Sequence, residues 1–271
     1  MNGGMIPIGW VELALASGLL LVAAGLSVAL SLRLGRPLLI GALRTYAQLL
    51  AMGFVLRWIF EVSAWWLVCA TLMIMILFAV QIALSRVKDR PPGLCGDAFA
   101  AIFLSGVAVL FVVTAAIIHV DPWYKPQYVL PLAGMIFGNS MTAVAIALDR
   151  LFDDMRKRRD EVNALLALGA SAWEASLPSI RTAVTSGMIP IINSMNAVGL
   201  VSIPGMMTGQ IIAGADPAAA APYQIVVMLM LSAATAGGAI IAVRMAYPRA
   251  FGKSAEFTLP PASRAQNGPA R

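Results

Sequence analysis

Polar side chains recur along one face of an otherwise apolar segment that runs from residue 182 to residue 203. Hydroxyl and amide groups arranged in this way either line a hydrated path for a solute or hold two helices together by hydrogen bonds. Both interpretations stay open, and Thr185, Ser186, Asn193 and Asn196 are the candidate solute contacts. If this segment is a helix, each residue turns it by about 100°. Five polar side chains then fall within one arc of about 100° on the helix surface: Thr182, Thr185, Ser186, Asn193 and Asn196.

Two further groups of polar residues lie in other apolar segments. Asn139 follows Gly134-x-x-x-Gly138, and small residues at this spacing typically allow two helices to pack closely. Arg44 and Gln48 lie four residues apart near one end of another apolar segment, which puts both on one helix face. They can contact an anionic solute, although contact with lipid headgroups by ordinary snorkelling is the preferred interpretation.

The segment Pro204-Gly205-Met206-Met207-Thr208-Gly209-Gln210 could bring thioethers and an amide to a solute. Its glycines predict a broken helix or a re-entrant turn, which occurs in membranes where the backbone lines a cavity. Thioethers bind soft metal ions, but adjacent side chains such as Met206 and Met207 do not share a helix face. Packing is the preferred role of both methionines, and Gln210 is a further candidate contact. The sequence identifies no set of metal ligands.

The composition indicates which elements carry these residues. The 271 residues are 60% hydrophobic and 12% charged, with a mean hydropathy of +0.83, whereas a soluble domain averages about 25% charged residues. Seven segments approach the length of about 20 apolar residues that crosses a bilayer as a helix. The sequence predicts an all-α polytopic membrane protein with about seven transmembrane helices: Leu13–Leu32, Thr45–Phe60, Ala64–Leu84, Ala98–Ile118, Gln127–Leu148, Thr182–Ile203 and Tyr223–Val243.

Basic residues indicate the orientation of these spans. With the N-terminus outside and seven spans, 17 Lys and Arg residues fall on cytoplasmic segments, and only Arg57 and Lys125 fall outside. Cytoplasmic loops carry such an excess of positive charge, so the C-terminus is predicted to be cytoplasmic. The net charge of +6 is explained by orientation in a lipid membrane, and no nucleic-acid partner is expected.

A single transmembrane domain is predicted for residues 1–246, and a polar cytoplasmic tail for residues 247–271, disordered at its end. The longest cytoplasmic segment covers residues 149–181. It begins with ten charged residues in thirteen, which indicates a helix that continues out of the membrane with a solvated surface. The composition then changes to Ala, Leu, Gly and Ser.

This second part of the cytoplasmic segment predicts a tight helix-turn-helix. Gly169 fits a helix C-terminus, Ser171 can cap the next helix, and Glu174 three residues later completes a capping box. Trp173 lies on the first turn of that helix and is predicted to be partly exposed. The segment is either a docking surface for a cytoplasmic partner or an elbow on the membrane surface with Trp173 as its anchor.

The loop and several other segments resemble one family of transporters. Residues 167–175, Ala-Leu-Gly-Ala-Ser-Ala-Trp-Glu-Ala, resemble the cytoplasmic coupling loop of ABC transporter permeases, which docks into a groove on an ATPase subunit. Asn163 stands where the importer form of this loop has an acidic residue. Across residues 10–246 the chain is similar to the bacterial iron-export ABC permease family, which has plant relatives linked to aluminium tolerance. The segments that carry this similarity are Gly134–Val144, Ile189–Gln210, Ala213–Pro217 and Tyr223–Ile225.

This resemblance implies a permease that forms a homodimer and exports iron or another metal-related solute across the bacterial inner membrane. It also implies a separate ATPase subunit that uses ATP and Mg²⁺, so that this chain itself would bind no cofactor. The residues implied to contact that subunit are Leu168, Gly169, Ala170, Ser171, Trp173 and Glu174.

No catalytic centre is expected in this chain. Gly252-Lys253-Ser254 imitates the end of a phosphate-binding loop, but Tyr247 stands where that motif requires its first glycine, and a membrane span rather than a strand precedes it. The spans carry no Ser/His/Asp set and no paired carboxylates, so an intramembrane enzyme is disfavoured. An ATP-independent secondary transporter or channel is the alternative function, and it is opposed by the lack of a mid-span carboxylate for ion coupling.

Overall fold

The computed structural model describes residues 9–31, 35–88, 90–252 and 256–259, and within these ranges the protein is built from helices. The all-α polytopic architecture predicted from the sequence is confirmed. In chain order the helices are α1 (Trp10–Ala29), α2 (Gly35–Val62), α3 (Trp65–Arg86), α4 (Leu94–Phe111) with a π-helical extension (Val112–Ile117), α5 (Pro126–Lys157), α6 (Arg159–Ala167), α7 (Ala172–Ala197), α8 (Gly205–Ile212), α9 (Pro217–Ala246) and a 3-10 turn (Tyr247–Ala250).

Six helices in the described part of the chain are long and apolar enough to cross a membrane: α1, α2, α3, extended α4, α5 and α9. Each coincides with a predicted span. The helix α7 is not among the six, because Arg181 and several hydroxyl and amide side chains dilute its apolar residues. It nevertheless packs beside α5 and α9. The count of seven spans and the orientation of the termini therefore stay predictions.

The predicted sixth span, Thr182–Ile203, extends beyond the helix that the structure forms there. The helix α7 ends at Ala197, and the chain then turns through Gly199, whose φ is +80°. A short bridge between Val198 and Ser202 closes the turn. The short helix α8 follows Pro204 and contains Gly205 and Gly209, so the helix is broken at Gly199, before the segment whose glycines predicted the break.

The helix α5 lies at the centre of the bundle and packs against α3, α4, α7 and α9. Its inward residues, such as Phe137 and Leu151, are fully buried. Small residues bring the neighbouring backbones close to it. A Cβ added to Gly187 of α7 would lie 2.9 Å from the carbonyl oxygen of Ala143 on α5. This close approach increases the van der Waals contact that holds helices together in lipid, where the hydrophobic effect contributes little.

The α1–α2 hairpin lies at the edge of the bundle. Among the described residues of α2, Ile59 alone is buried. The hairpin is held together by a hydrogen bond of 2.6 Å between the hydroxyls of Ser17 and Tyr46, and the Tyr46 hydroxyl also donates to the carbonyl of Leu13. Most of the apolar surface of α1 and α2 is therefore exposed on the single chain.

The charged start of the cytoplasmic segment continues α5, as the sequence predicts. The helix runs to Lys157, and the chain bends at Arg158 before α6 begins. The Arg158 guanidinium donates to both carboxylate oxygens of Glu161, at 2.7 and 2.8 Å. This pair lowers the pKa of Glu161, chiefly through the hydrogen bonds from Arg158. The bend separates the long membrane helix from the short helix α6.

The first part of the tail packs onto the bundle. Phe251 and Phe257 form a bridge with ring centroids 5.8 Å apart, and Phe257 and Leu259 are buried. The Arg159 guanidinium of α6 donates to the Leu259 carbonyl at 3.1 Å. The packed structure therefore continues past the predicted domain boundary at residue 246, while the disorder predicted for the end of the tail concerns residues outside the described ranges.

The substitution Gly187→Ala is expected to destabilise the protein, because the added methyl group would overlap the backbone of α5. Overpacking of this kind typically costs about 1–3 kcal/mol, so the melting temperature in detergent should fall by roughly 5 °C. The matched control is Gly53→Ala on α2, where an added Cβ has no atom within 4 Å. Equal melting temperatures for the two variants would contradict the close α5–α7 contact.

Candidate functional site

The cytoplasmic loop between α6 and α7 is a tight turn fixed by its own backbone. Gly169 has φ +93°, a conformation that side-chain-bearing residues rarely adopt. Its N–H donates to the Leu166 carbonyl, and the N–H of Ala170 donates to the Leu165 carbonyl, both at 3.0 Å. These two bonds form a Schellman motif, which satisfies carbonyls left free at the end of α6. The predicted helix end at Gly169 is therefore present.

The start of α7 is held by the predicted capping box. The Ser171 hydroxyl accepts a hydrogen bond from the backbone N–H of Glu174 at 3.3 Å, and the Glu174 carboxylate accepts from the N–H of Ser171 at 2.8 Å. The backbone and hydroxyl hydrogen bonds from Ser171 lower the pKa of Glu174. The carboxylate therefore stays ionised at the N-terminus of α7, where the helix dipole favours a negative charge.

Trp173 anchors the loop to the end of α9. Its ring packs edge-on against Tyr247, with centroids 5.2 Å apart, and the Arg244 guanidinium lies 4.9 Å from the centre of the indole ring. The side chain is 37% exposed, in agreement with the partial exposure predicted from the sequence. These contacts favour a loop held on the body of the protein over an elbow anchored in lipid by Trp173.

The tip of the loop projects into solvent. Leu168 is 84% exposed, and Gly169, Ser171 and Glu174 are also exposed. A Cβ added to Gly169 would meet no other atom within 4 Å, so the space above the corner is open. An exposed leucine beside an open corner on a rigid turn is a suitable docking surface for another protein.

An ion pair between a buried carboxylate and a partly exposed guanidinium holds the first part of the tail against the start of α4. The Arg249 guanidinium donates from Nε and Nη2 to the two carboxylate oxygens of Asp97, and its Nη1 donates to the Pro92 carbonyl at 2.6 Å. Asp97 is 4% exposed. The sequence analysis did not find this pair, because the two residues lie 152 positions apart and no local pattern joins them.

The polar stripe of α7 lies on the outward face of that helix. Thr185, Asn193 and Asn196 are exposed, and Ser186 is half-buried with its hydroxyl bonded to the Thr182 carbonyl of its own helix at 2.8 Å. Within the described ranges, the side-chain amides of Asn193 and Asn196 have no hydrogen-bond partner. The stripe therefore does not join two helices of one chain.

Asn139 bonds within its own helix. Its Nδ2 donates to the Met135 carbonyl of α5 at 2.9 Å, and the residue is half-buried. At Gly134 an added Cβ would lie 3.5 Å from the end of the Met75 side chain, which is an ordinary contact distance, so the close packing expected there stays a prediction. At Gly138 an added Cβ would meet nothing within 4 Å, so this glycine is not used for packing within the described part of the single chain.

Arg44 and Gln48 lie apart from the other candidate residues. Both are exposed on α2 in the peripheral hairpin, and among the described residues neither side chain has a hydrogen-bond or ion-pair partner. Their position is compatible with contact to lipid headgroups, the interpretation preferred from the sequence.

Met206 and Met207 face two different cavities on either side of α8. Met206 and Gln210 line a cavity of about 610 Å³ together with Met135 and Tyr223. The expectation that the adjacent methionines point apart is thus met. Met207 lines a second cavity of about 430 Å³, with Met195, Met228 and Gln224.

Each of these two cavities is lined by a glutamine whose amide oxygen has no partner. The Oε1 atoms of Gln210 and Gln224 are both buried without a hydrogen bond to any residue that the structure describes. Gln224, which the sequence analysis missed, is 5% exposed. The polar groups that line these cavities are neutral amides, thioethers and tyrosine hydroxyls, and in the described ranges no three His, Cys, Asp or Glu residues cluster to hold a metal ion.

A family model described as "Uncharacterised protein family (UPF0014)" matches residues 10–251, which is almost the whole length of the structure described above. The chain belongs to this family. No solved structure matches it. The resemblance stated from the sequence motifs is confirmed, because the relatives include both bacterial and plant proteins of the expected kinds.

Three relatives illustrate the range of the family. The chain is 35% identical to UPF0014 membrane protein slr1647 of Synechocystis over 85% of its own length and 89% of the relative. It is 32% identical to Protein ALUMINUM SENSITIVE 3 of Arabidopsis thaliana, covering 91% of the chain and 89% of that protein. It is 33% identical to the Probable iron export permease protein FetB of Escherichia coli, covering 89% and 91%.

The substitution Arg249→Met is expected to destabilise the protein, because it leaves the buried Asp97 carboxylate without its partner. Removing one member of a fully buried pair costs about 3–5 kcal/mol, and the partial exposure of Arg249 lowers the expected cost to about 2 kcal/mol, which thermal unfolding in detergent would detect. The control is Arg57→Met, which removes an exposed pair with Glu61 and should cost less than about 1 kcal/mol. A similar loss of stability in both variants would argue against the structural role of Arg249.

Proposed function

We propose that this chain is the membrane-spanning permease subunit of an ABC exporter in the bacterial inner membrane. Two copies form the translocation path, and two separate ATPase subunits, which bind ATP and Mg²⁺, dock on the cytoplasmic loops. This chain binds no cofactor of its own. The observation that carries the proposal is the loop from Leu168 to Glu174, which is rigid, exposed and joined directly to α7.

The geometry of the loop supports its role in coupling. The Schellman motif and the capping box fix the loop locally, and the Trp173 contacts fix it to the end of α9. A partner that moves the exposed tip at Leu168 would therefore move α7 as well. A mobile loop would absorb such a displacement without transmitting it to the membrane.

Export of iron or a related metal solute is the transport activity we propose. The support is the similarity to a relative named as a probable iron export permease and to plant relatives named for sensitivity to aluminium. The donors along the candidate path are neutral, and ferric ion prefers charged oxygen ligands such as carboxylates. The cargo would therefore move as a chelate or through transient contacts with amide and hydroxyl oxygens.

The substitution Leu168→Asp is expected to abolish co-purification of an ATP-binding cassette subunit from membranes, because it puts a charge at the tip of an apolar docking surface. Gly169→Arg should act in the same way through its bulk. The control is Val11→Asp, which puts a charge on an exposed apolar residue at the start of α1, outside the loop and outside α7. Full recovery of the ATPase subunit with both loop variants would contradict the proposal that this subunit docks on the loop.

Transport in reconstituted vesicles is expected to require ATP hydrolysis by the partner subunit. The assay compares ferrous iron, ferric chelates and other metal solutes, with and without ATP. A partner variant that binds but does not hydrolyse ATP serves as the control and should show no transport. Transport by this chain alone, driven by an ion gradient, would instead establish the alternative of a secondary transporter or channel.

A further inference from the structure

A stripe of exposed residues on α7 follows the spacing of a coiled-coil seam. Thr185, Ile189, Ile192 and Asn196 succeed one another at intervals of four, three and four residues, and all four are exposed. At about 100° per residue they lie within an arc of about 60°. This alternation of three and four residues corresponds to the a and d positions at which two helices meet.

The chain itself leaves this stripe uncovered. The opposite face of α7, with Ala183, Gly187 and Ile191, is buried against the bundle. Among the described residues, the amide of Asn196 has no hydrogen-bond partner, and in the span predicted for this part of the chain the lipid core would offer none. A stripe of two isoleucines between a threonine and an asparagine is thus suited to contact with another protein rather than with lipid.

We infer that the stripe is covered by α7 of a second copy of this chain, packed in parallel along it. This contact between the two α7 helices is called the seam. This inference rests on the proposed permease dimer and specifies which surface forms it. Two copies of one membrane protein have the same orientation, so their α7 helices run parallel and each stripe residue meets its own counterpart across a two-fold axis. An asparagine amide both donates and accepts, so Asn196 satisfies the amide of its counterpart.

The asparagine also fixes the register of the two helices. A single polar residue at an a position of a coiled coil specifies the alignment and the number of strands. Shifting one α7 helix along the other would place each Asn196 against an apolar residue and leave both amides unpaired. The turn beyond α7 continues the exposed surface, since Leu200 and Val201 are 89% and 85% exposed, and the second copy covers them there.

The seam also places the remaining polar residues of α7. Ser186 and Asn193 lie on one flank of the stripe, whereas Met188 and Met195 lie on the other. The stripe forms the contact between the two copies. The side of α7 that carries Ser186 and Asn193 faces the space beside that contact. Arg181, at the inner end, lies on the methionine flank, so the seam does not force the two arginines together.

Single cysteines test the seam in membranes. The two native cysteines, Cys69 and Cys95, are first replaced by serine, and Ile189→Cys, Ile192→Cys or Asn196→Cys is introduced into the otherwise native chain. Oxidation should give several-fold more covalent dimer at these positions than at Ser194→Cys. That control lies on the same helix at similar depth and is also exposed, but it faces away from the stripe.

The outcomes separate this inference from the proposed function. Dimer bands at the three stripe positions and not at Ser194 support the seam. Equal cross-linking at all positions, or none at the stripe while the ATPase subunit still co-purifies, overturns the seam and leaves the permease function standing. Cross-linking at the stripe in a protein that recruits no ATPase subunit would support the seam and contradict the proposed function.

Discussion

The lipid core offers no hydrogen bonds, and this constraint determines where each polar side chain of the protein can lie. Most hydroxyls of the spans satisfy it locally: Thr114 donates to the carbonyl of Leu110 one turn earlier, and Asn139 uses its amide in the same way. The amides of Asn193 and Asn196 on α7 do not. Their exposure on the single chain is the observation from which we infer a second copy against α7.

The helix α7 joins the two surfaces for which we propose a function. It begins at the capping box of the cytoplasmic loop and ends beyond the exposed stripe, and its 26 residues cover about 39 Å at 1.5 Å per residue. Gly187 holds its buried face against α5. Displacement of the loop at Leu168 would therefore displace α7, whose other face is proposed to form the seam. ATP binding by the proposed partner would then change access to the translocation path by moving α7.

Local features could be predicted from the sequence, and long-range ones could not. The helix end at Gly169 and the cap at Ser171 depend on residues within a few positions of each other, as does the divergence of Met206 and Met207. The ion pair of Arg249 with Asp97 and the contact of Trp173 with Arg244 join distant segments, so no spacing rule reveals them. The sequence also left open whether the α7 stripe packs within the chain, because this depends on which face of α7 is covered by the distant helix α5.

The most direct test of the central claim is the subunit composition of the purified transporter, measured by native mass spectrometry from the membrane in mild detergent. The expected assembly contains two copies of this chain and two ATPase subunits, and it should lose the ATPase subunits but keep the chain dimer when Leu168 is replaced by aspartate. A transport-competent assembly that contains this chain without any ATPase subunit would contradict the claim.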